Sequence, residues 1–268
     1  DALAAIQPRY GAETRSSLIR ERDPIAPAKP VRYIINTSAD AEHVGGNEKL
    51  ATAGRTFTGG NVAGELRDVG MGAAILAHEN VVERMTTPGG GRPAAPTRAL
   101  PTDTYYVDTM KLSHFFNGEG VQLMHVPAGH SDGDSIVYFR GTDVIATGDI
   151  FSNDTYPIID VARGGTINGV VDGLNRILDL SFAEFRTEGG TMVVPGHGRI
   201  GDSADVAYYR DMVTIIRDRI QDQMKKGRTL DQIKAARPTE DWDGRLGQDK
   251  TWTPAMFVEA IYKGLSKR

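Results

Sequence analysis

Apolar residues along this chain gather into short blocks separated by polar, glycine-marked stretches. Val31 to Ile35 is apolar and β-rich and reads as a buried strand. Glu48 to Arg55 reads as a helix, and Gly72 to His78, GAAILAH, as a second strand. From Gly120 to Phe151 the pattern is strand, loop, strand, turn, strand, carried by VQLMHV, SIVYF and VIATGD. Gly164 to Leu180 places Ile167, Val170, Val171, Leu174, Ile177 and Leu178 on one helical face. Thr191 to Val194, TMVV, is a further strand that runs into PGHG. The last third is helical, with Tyr209, Met212, Val213, Ile216 and Ile220 at helical spacing. There Thr229 and Gln232 form a capping box, and Thr253-Pro254 gives an N-cap followed by proline at the first helical position. The opening DALAAIQ reads as the end of a helix, followed by a polar connection to about Pro30. Strands interleaved with helices predict an α/β chain with sheet and helical layers.

Residues 86–101, TTPGGGRPAAPTRALP, break the pattern with three consecutive glycines and four prolines, so a loop is expected there. Strand signals resume on both sides, which makes a lid within one domain the expectation rather than a linker between two. Residues 1–268 are therefore read as a single domain, long enough to bury a sizeable core.

Composition narrows the function classes. The chain is 40% hydrophobic and 25% charged with mean hydropathy −0.34. No apolar run approaches the ~20 residues that span a bilayer, which argues against a membrane protein. A net charge of −4 without any Lys/Arg cluster gives no footprint for nucleic acid. The absence of cysteine excludes disulfides, thiolate ligands and cysteine nucleophiles. Zero cysteine and a first residue other than methionine lead to the expectation of a periplasmic or secreted protein.

Polar chemistry collects at four places, each just after an apolar strand: Asp40, Glu42 and His43 in INTSADAEHVGGN, His130 in GHSDGD, Asp149 in ATGD, and His197 in PGHG. Rigid strands aim the loop residues that follow them. Three histidines and three carboxylates are the donors that zinc, manganese or iron takes. Each element alone also has an ordinary reading. His130 could be a loop histidine, GHG a turn, and Asp149 a cap. Asp132 and Asp134 are expected to hydrogen-bond the loop backbone. His78, His114 and His125 have no such context and read as packing or surface histidines. The four clusters in this order are far more specific than any one of them.

These residues give the chain a resemblance to the metallo-β-lactamase superfamily, carried by GGN after the first cluster, AGHSDGDSIVYF, VIATGDIF and VVPGHG over roughly residues 31–268. The resemblance implies an αβ/βα sandwich with metals at one edge of its sheets. Activities in the family include hydrolysis of β-lactams, lactones, thioesters, phosphodiesters and sulfate esters. The strands with which the family usually begins are not evident, so the N-terminal part looks missing from this chain.

The departure is in the first motif, where the family's HxHxDH is replaced by Ser38, Asp40, Glu42 and His43. Carried over by position, the first metal site keeps His130, gains a carboxylate in Asp40 and loses an imidazole to Ser38. The second keeps His43, His197 and Asp149, with Glu42 in place of the usual aspartate. The resemblance thus implies one well-held divalent ion rather than two, zinc first, with manganese or iron as alternatives. The leading expectation is a hydrolase acting on a small ester, lactone, lactam or thioester, with Asp40 or Glu42 as general base. The rival is a non-catalytic or ligand-binding member of the fold with a degraded site.

Overall fold

The computed structural model describes residues 31–54, 72–87, 94–112, 119–181 and 190–266. The expected N-terminal helix end, the polar connection to Pro30, and His114 lie outside these residues, as do positions 88–93 of the Gly/Pro-rich stretch. The described chain divides into two compact units.

The first unit holds a parallel three-stranded sheet in the order β1 (Tyr33–Ile35), β2 (Ala74–His78), β3 (Asp103–Tyr105). Every residue of β2 is buried, as a central parallel strand covered on both faces requires. Three helices accompany the sheet: α1 (Ala41–Val44), α2 (Asn47–Ala53) and α3 (Glu79–Thr86). Ile34, Ala73 and Ile75 pack against Leu50 and Ala51, while Ala77, Val81 and Met85 pack against Ala95 and Leu100. The described part of the stretch 86–101 is therefore tethered chain. Ala95 N–H donates to Met85 O at 2.8 Å, Thr97–Ala99 form a 3₁₀ turn, and Asn47 Nδ2–H donates to Ala99 O at 2.9 Å.

The second unit is built on a five-stranded sheet, β4 (Thr109–Leu112), β5 (Val121–Val126), β6 (Asp134–Phe139), β7 (Val144–Ala146) and β8 (Met192–Val194), in that order. The pairs from β4 to β7 are antiparallel, and β7–β8 is parallel. That pattern points the C-terminal ends of β5, β7 and β8 to the same edge. The predicted strand VIATGD is shorter than expected. It ends at Ala146, because Gly148 at φ +54 turns the chain into a 3₁₀ turn at Gly148–Ile150.

Helix α4 (Ile167–Ser181) starts later than the apolar pattern suggests, since Gly164 takes φ +86 and ends a preceding 3₁₀ turn. Its predicted face is buried at Ile167, Val170, Val171, Leu174 and Ile177, and packs with α5 (Ser203–Lys225) and α8 (Pro254–Ser266) into the main core. Burying each such aliphatic side chain is worth about 1.5–3 kcal/mol, which is what holds the helices on the sheet. On α5 the residues Tyr209, Met212, Val213, Ile216 and Ile220 are buried as their spacing predicts. Asp202 caps the same helix in a capping box with Asp205. The capping box at Thr229 and Gln232 opens α6 (Leu230–Ala235). The short α7 (Glu240–Leu246) is tied to the core by Tyr156. That ring stacks on Phe257 with centroids 5.0 Å apart, and its single hydroxyl proton is shared between Asp243 Oδ1 at 3.0 Å and Thr239 O at 3.1 Å. No helix among the described residues is long and apolar enough to cross a membrane.

Glu259 on α8 joins two helices, accepting from Lys234 of α6 and from Lys263 one turn along its own helix, each at 2.6 Å. The two ammonium groups lower its carboxyl from the ordinary 4.5 to about 2, with the Lys234 hydrogen bond the largest cause. A depressed folded value means that the stabilisation is complete above the unfolded value and is lost as pH falls from 4.5 towards 2. Glu259→Gln should thus lower the melting temperature at pH 7 and lower it much less at pH 2. An equal deficit at both pH values would show that packing, not charge, is what the substitution removes.

Candidate metal centre

The first cluster lies in the loop that leaves β1 and winds into the single turn of α1. Asp40 is the N-cap residue, and its carbonyl accepts from His43 N–H at 2.8 Å and Val44 N–H at 3.0 Å. The loop is braced from behind by a pair of buried amides. Asn36 and Asn47 exchange side-chain hydrogen bonds at 3.0 and 2.9 Å, and Asn36 Nδ2–H also donates to His43 O at 3.3 Å. His43 is buried, and its Nδ1 lies 3.0 Å from Thr37 Oγ1. In the tautomer whose Nδ1–H donates to that hydroxyl, Nε2 carries the lone pair that a metal takes.

The two rewritten positions bond to each other. Ser38 is fully buried and its hydroxyl donates to Asp40 Oδ2 at 3.2 Å, while Asp40 N–H donates to Ser38 Oγ at 3.3 Å. Asp40 is half-buried and Glu42 exposed. Of the three carboxylates singled out in the sequence, only Asp149 is buried.

In the second unit His130, Asp149 and His197 follow β5, β7 and β8, whose ends share one sheet edge. The structure brings these three together. Asp149 Oδ1 lies 3.2 Å from His197 Nε2, and Asp149 Oδ2 lies 4.0 Å from His130 Nε2. Donor atoms bound tetrahedrally at ~2.0–2.1 Å stand about 3.3 Å apart, so the 3.2 Å pair of Asp149 and His197 has the spacing of two ligands of a zinc-sized ion, while His130 stands wider at 4.0 Å. His130 Nδ1–H donates to Ile158 O at 2.8 Å, which orients the ring so that Nε2 faces Asp149. The side chains of all three are under a tenth exposed. A buried carboxylate is costly unless a cation offsets it, and two imidazoles with one carboxylate are the donors of a divalent metal. The residues fit the ion.

Glycines make this approach possible. A Cβ on Gly196 would run into Asp149 Oδ1 and would stand 2.6 Å from Gly148 O. Gly198 takes φ +99, and a Cβ there would run into Asn153 Oδ1. The PGHG motif is thus a histidine between two positions where a side chain cannot fit.

Asp134 carries no candidate role and behaves as expected, accepting from Ser131 N–H at 2.7 Å and from Ser131 Oγ–H at 2.9 Å. Burial pushes its carboxyl up to about 7, against the pull of His130 and the Ser131 bonds. Asp132 offers its carbonyl to His125 Nε2 at 2.8 Å, which makes His125 a structural histidine. His78 caps α3 by accepting from Asn80 N–H and meets the Tyr105 ring edge-on at 5.1 Å. Sequence reasoning did not single out Thr37, Asn36 or Asn153. Their roles are hydrogen bonds to backbone or ring atoms, which leave no motif.

A family model described as the metallo-beta-lactamase superfamily matches residues 12–197. It begins ahead of Val31, where the resemblance was first legible, and ends at His197, ahead of the C-terminal helices. Among curated proteins, none matches the chain by sequence. Solved structures that align with it include a metallo-beta-lactamase from Pontibacter korlensis, 15% identical, TM-score 0.48, over 76% of this chain and 78% of that one. Another is VMB-1, 13% identical with TM-score 0.47 over 76% of each chain. A double mutant of the sec-alkyl sulfatase PisA1 aligns with TM-score 0.58 at 14% identity, over 93% of this chain and 43% of the sulfatase. Such identities speak to fold alone. The family model spans well over half of the chain and every motif residue described above, and the chain belongs to the metallo-β-lactamase superfamily.

Proposed function

We propose that this protein is a metal-dependent hydrolase acting on a small ester, lactone, lactam or thioester, with one well-held divalent ion. The superfamily consists of metallohydrolases that bind divalent metals, usually zinc. The observation that carries the reading is the buried Asp149 carboxylate facing the Nε2 atoms of His197 and His130. By motif correspondence we assign the ion to His43, Asp149 and His197, with Glu42 or a water completing the shell. His130 and Asp40 are what remains of the first site. The proposal takes residues 1–268 as one working domain.

When bound, the ion supplies Lewis-acid polarisation of the substrate oxygen and lowers the pKa of water from ~15.7 towards ~7. The chain supplies the rest. Asp40 is the general base, its carboxylate aimed by the Ser38 hydroxyl, and Glu42 is the second candidate. Thr37 and Ile158 hold the His43 and His130 rings through their Nδ1 atoms, which leaves the opposite nitrogen of each for the site. The rival, a non-catalytic binder, draws on Ser38 standing where the family has an imidazole.

Protein purified without added metal should carry about one divalent ion per chain. It should hydrolyse at least one member of a panel of ester, lactone, β-lactam, thioester and sulfate-ester reporters, and chelation should abolish both properties. A His43→Ala/His197→Ala variant should lose the metal. Unchanged stoichiometry in that variant contradicts the ligand assignment, and bound metal without hydrolysis across the panel favours the binder.

A second test asks whether the rewritten motif is decay or adaptation. The mutual hydrogen bonds of Ser38 and Asp40 favour adaptation, because unrelated losses would not leave the two replacements paired. Ser38→His/Asp40→His should raise metal content from about one ion towards two while abolishing the native hydrolysis, since the base is removed. A double variant that gains metal and activity together would sink the adaptation reading.

A further inference from the structure

We infer that Asn153 is a positioning residue for the metal centre, setting the distance between Asp149 and His197 without touching either ligand set's donor atoms. The inference rests on the metal reading above and concerns a side chain that no motif marks.

Two short segments meet here, residues 148–153 carrying Asp149 and residues 196–199 carrying His197. Ahead of the histidine, Gly196 N–H is shared between Gly148 O at 2.9 Å and Phe151 O at 3.2 Å. At the histidine, a parallel bridge joins Ser152 to His197, and Asn153 N–H reaches His197 O at 3.4 Å. Beyond it Gly198 at φ +99 turns the chain, and between that turn and the antiparallel bridge of Gly201 to Val193 lies Arg199. There the Asn153 side chain takes over the pairing. Its Nδ2–H donates to Arg199 O at 2.6 Å and its Oδ1 accepts from Arg199 N–H at 3.0 Å. One amide thus satisfies both backbone groups of Arg199, as a neighbouring strand would.

Asparagine suits this task by its chemistry. The amide offers a donor and an acceptor side by side, matching the carbonyl and N–H of one residue. Aspartate lacks the donor, and leucine lacks both. Asn153 is 9% exposed, so water is poorly placed to replace the bonds. The glycine at 198 completes the fit, since any Cβ there would occupy the place of Asn153 Oδ1. Without the clamp, the chain after His197 is next fixed at Gly201, whose N–H and carbonyl pair with Val193 at 2.8 and 2.9 Å, and the 3.2 Å approach of His197 Nε2 to Asp149 is held less firmly.

The test is zinc titration by competition with a chromogenic chelator, using the metal-stripped full chain and the variants Asn153→Ala, Asn153→Asp and His197→Ala. Loss of a residue that orients ligands weakens metal affinity about 10–100-fold, which is the loss expected for Asn153→Ala. Asn153→Asp guards against misfolding of the alanine variant. It keeps the acceptor for Arg199 N–H, and its added charge alone would tighten cation binding, so weaker binding reports lost geometry. In the metal-free protein, the His197 Cε1–H NMR signal should shift or split in both Asn153 variants while that of His125 stays in place. Asn153 variants that bind zinc as tightly as the unaltered chain, beside a weakened His197→Ala, overturn this inference alone. A His197→Ala variant with unchanged zinc affinity overturns the metal reading and this one with it.

Discussion

A carboxylate buried beside two imidazole nitrogens is the constraint around which the second unit is arranged. Burying the Asp149 carboxylate is costly unless its charge is offset, and the structure surrounds it with imidazoles suited to hold a cation beside it. Its place follows from the sheet. β7 and β8 are parallel neighbours, so the residues just past their ends emerge together, and β5, two strands from β7, delivers His130 to the same edge. The hydrophobic core supplies the rigidity. Ile150 and Phe151, next to Asp149 in sequence, are fully buried against α4 and α5, so the aspartate cannot drift without disturbing that packing.

The first unit solves a similar problem by hydrogen bonding. Among the described residues, one helical turn and a seven-residue helix follow β1 before β2, and each buries a single residue, His43 and Asn47, both polar. The Asn36–Asn47 amide pair braces the loop, with all its atoms inside the fold, where such bonds cost most to break. Within that frame Ser38 and Asp40 form a small unit of their own. In the proposed function, the hydroxyl and carboxylate that stand in place of two imidazoles form an oriented acid–base group. This is why we place Asp40 in proton transfer and not primarily in metal binding.

Much of this was legible in the sequence. The apolar periods of α4 and α5 name their buried faces residue by residue, and the strands VQLMHV, SIVYF and TMVV stand out because they are buried on one or both sides. The four polar clusters were legible because each follows such a strand. What was not legible has a common cause. β3, read DTY, shows two exposed residues to one buried, and β4 has no buried residue, so neither carries an apolar signal. Helix α1 is one turn long, below any periodicity. Asn36 and Asn47 act through their paired amides and Asn153 through its amide on backbone, and asparagine is equally common in turns. Within the Gly/Pro-rich stretch, Ala95 and Leu100 pack against Ala77 of β2 and Val81 and Met85 of α3, a contact that its composition does not reveal.

The central claim is that one ion is held by His43, Asp149 and His197. Anomalous diffraction from crystals of the zinc-loaded protein, recorded on both sides of the zinc edge, tests it most directly. The account predicts a single strong peak within bonding distance of His43, Asp149 and His197, and none of comparable height beside Asp40. A peak bound by His130 and Asp40 instead, or two peaks of equal height, would contradict it.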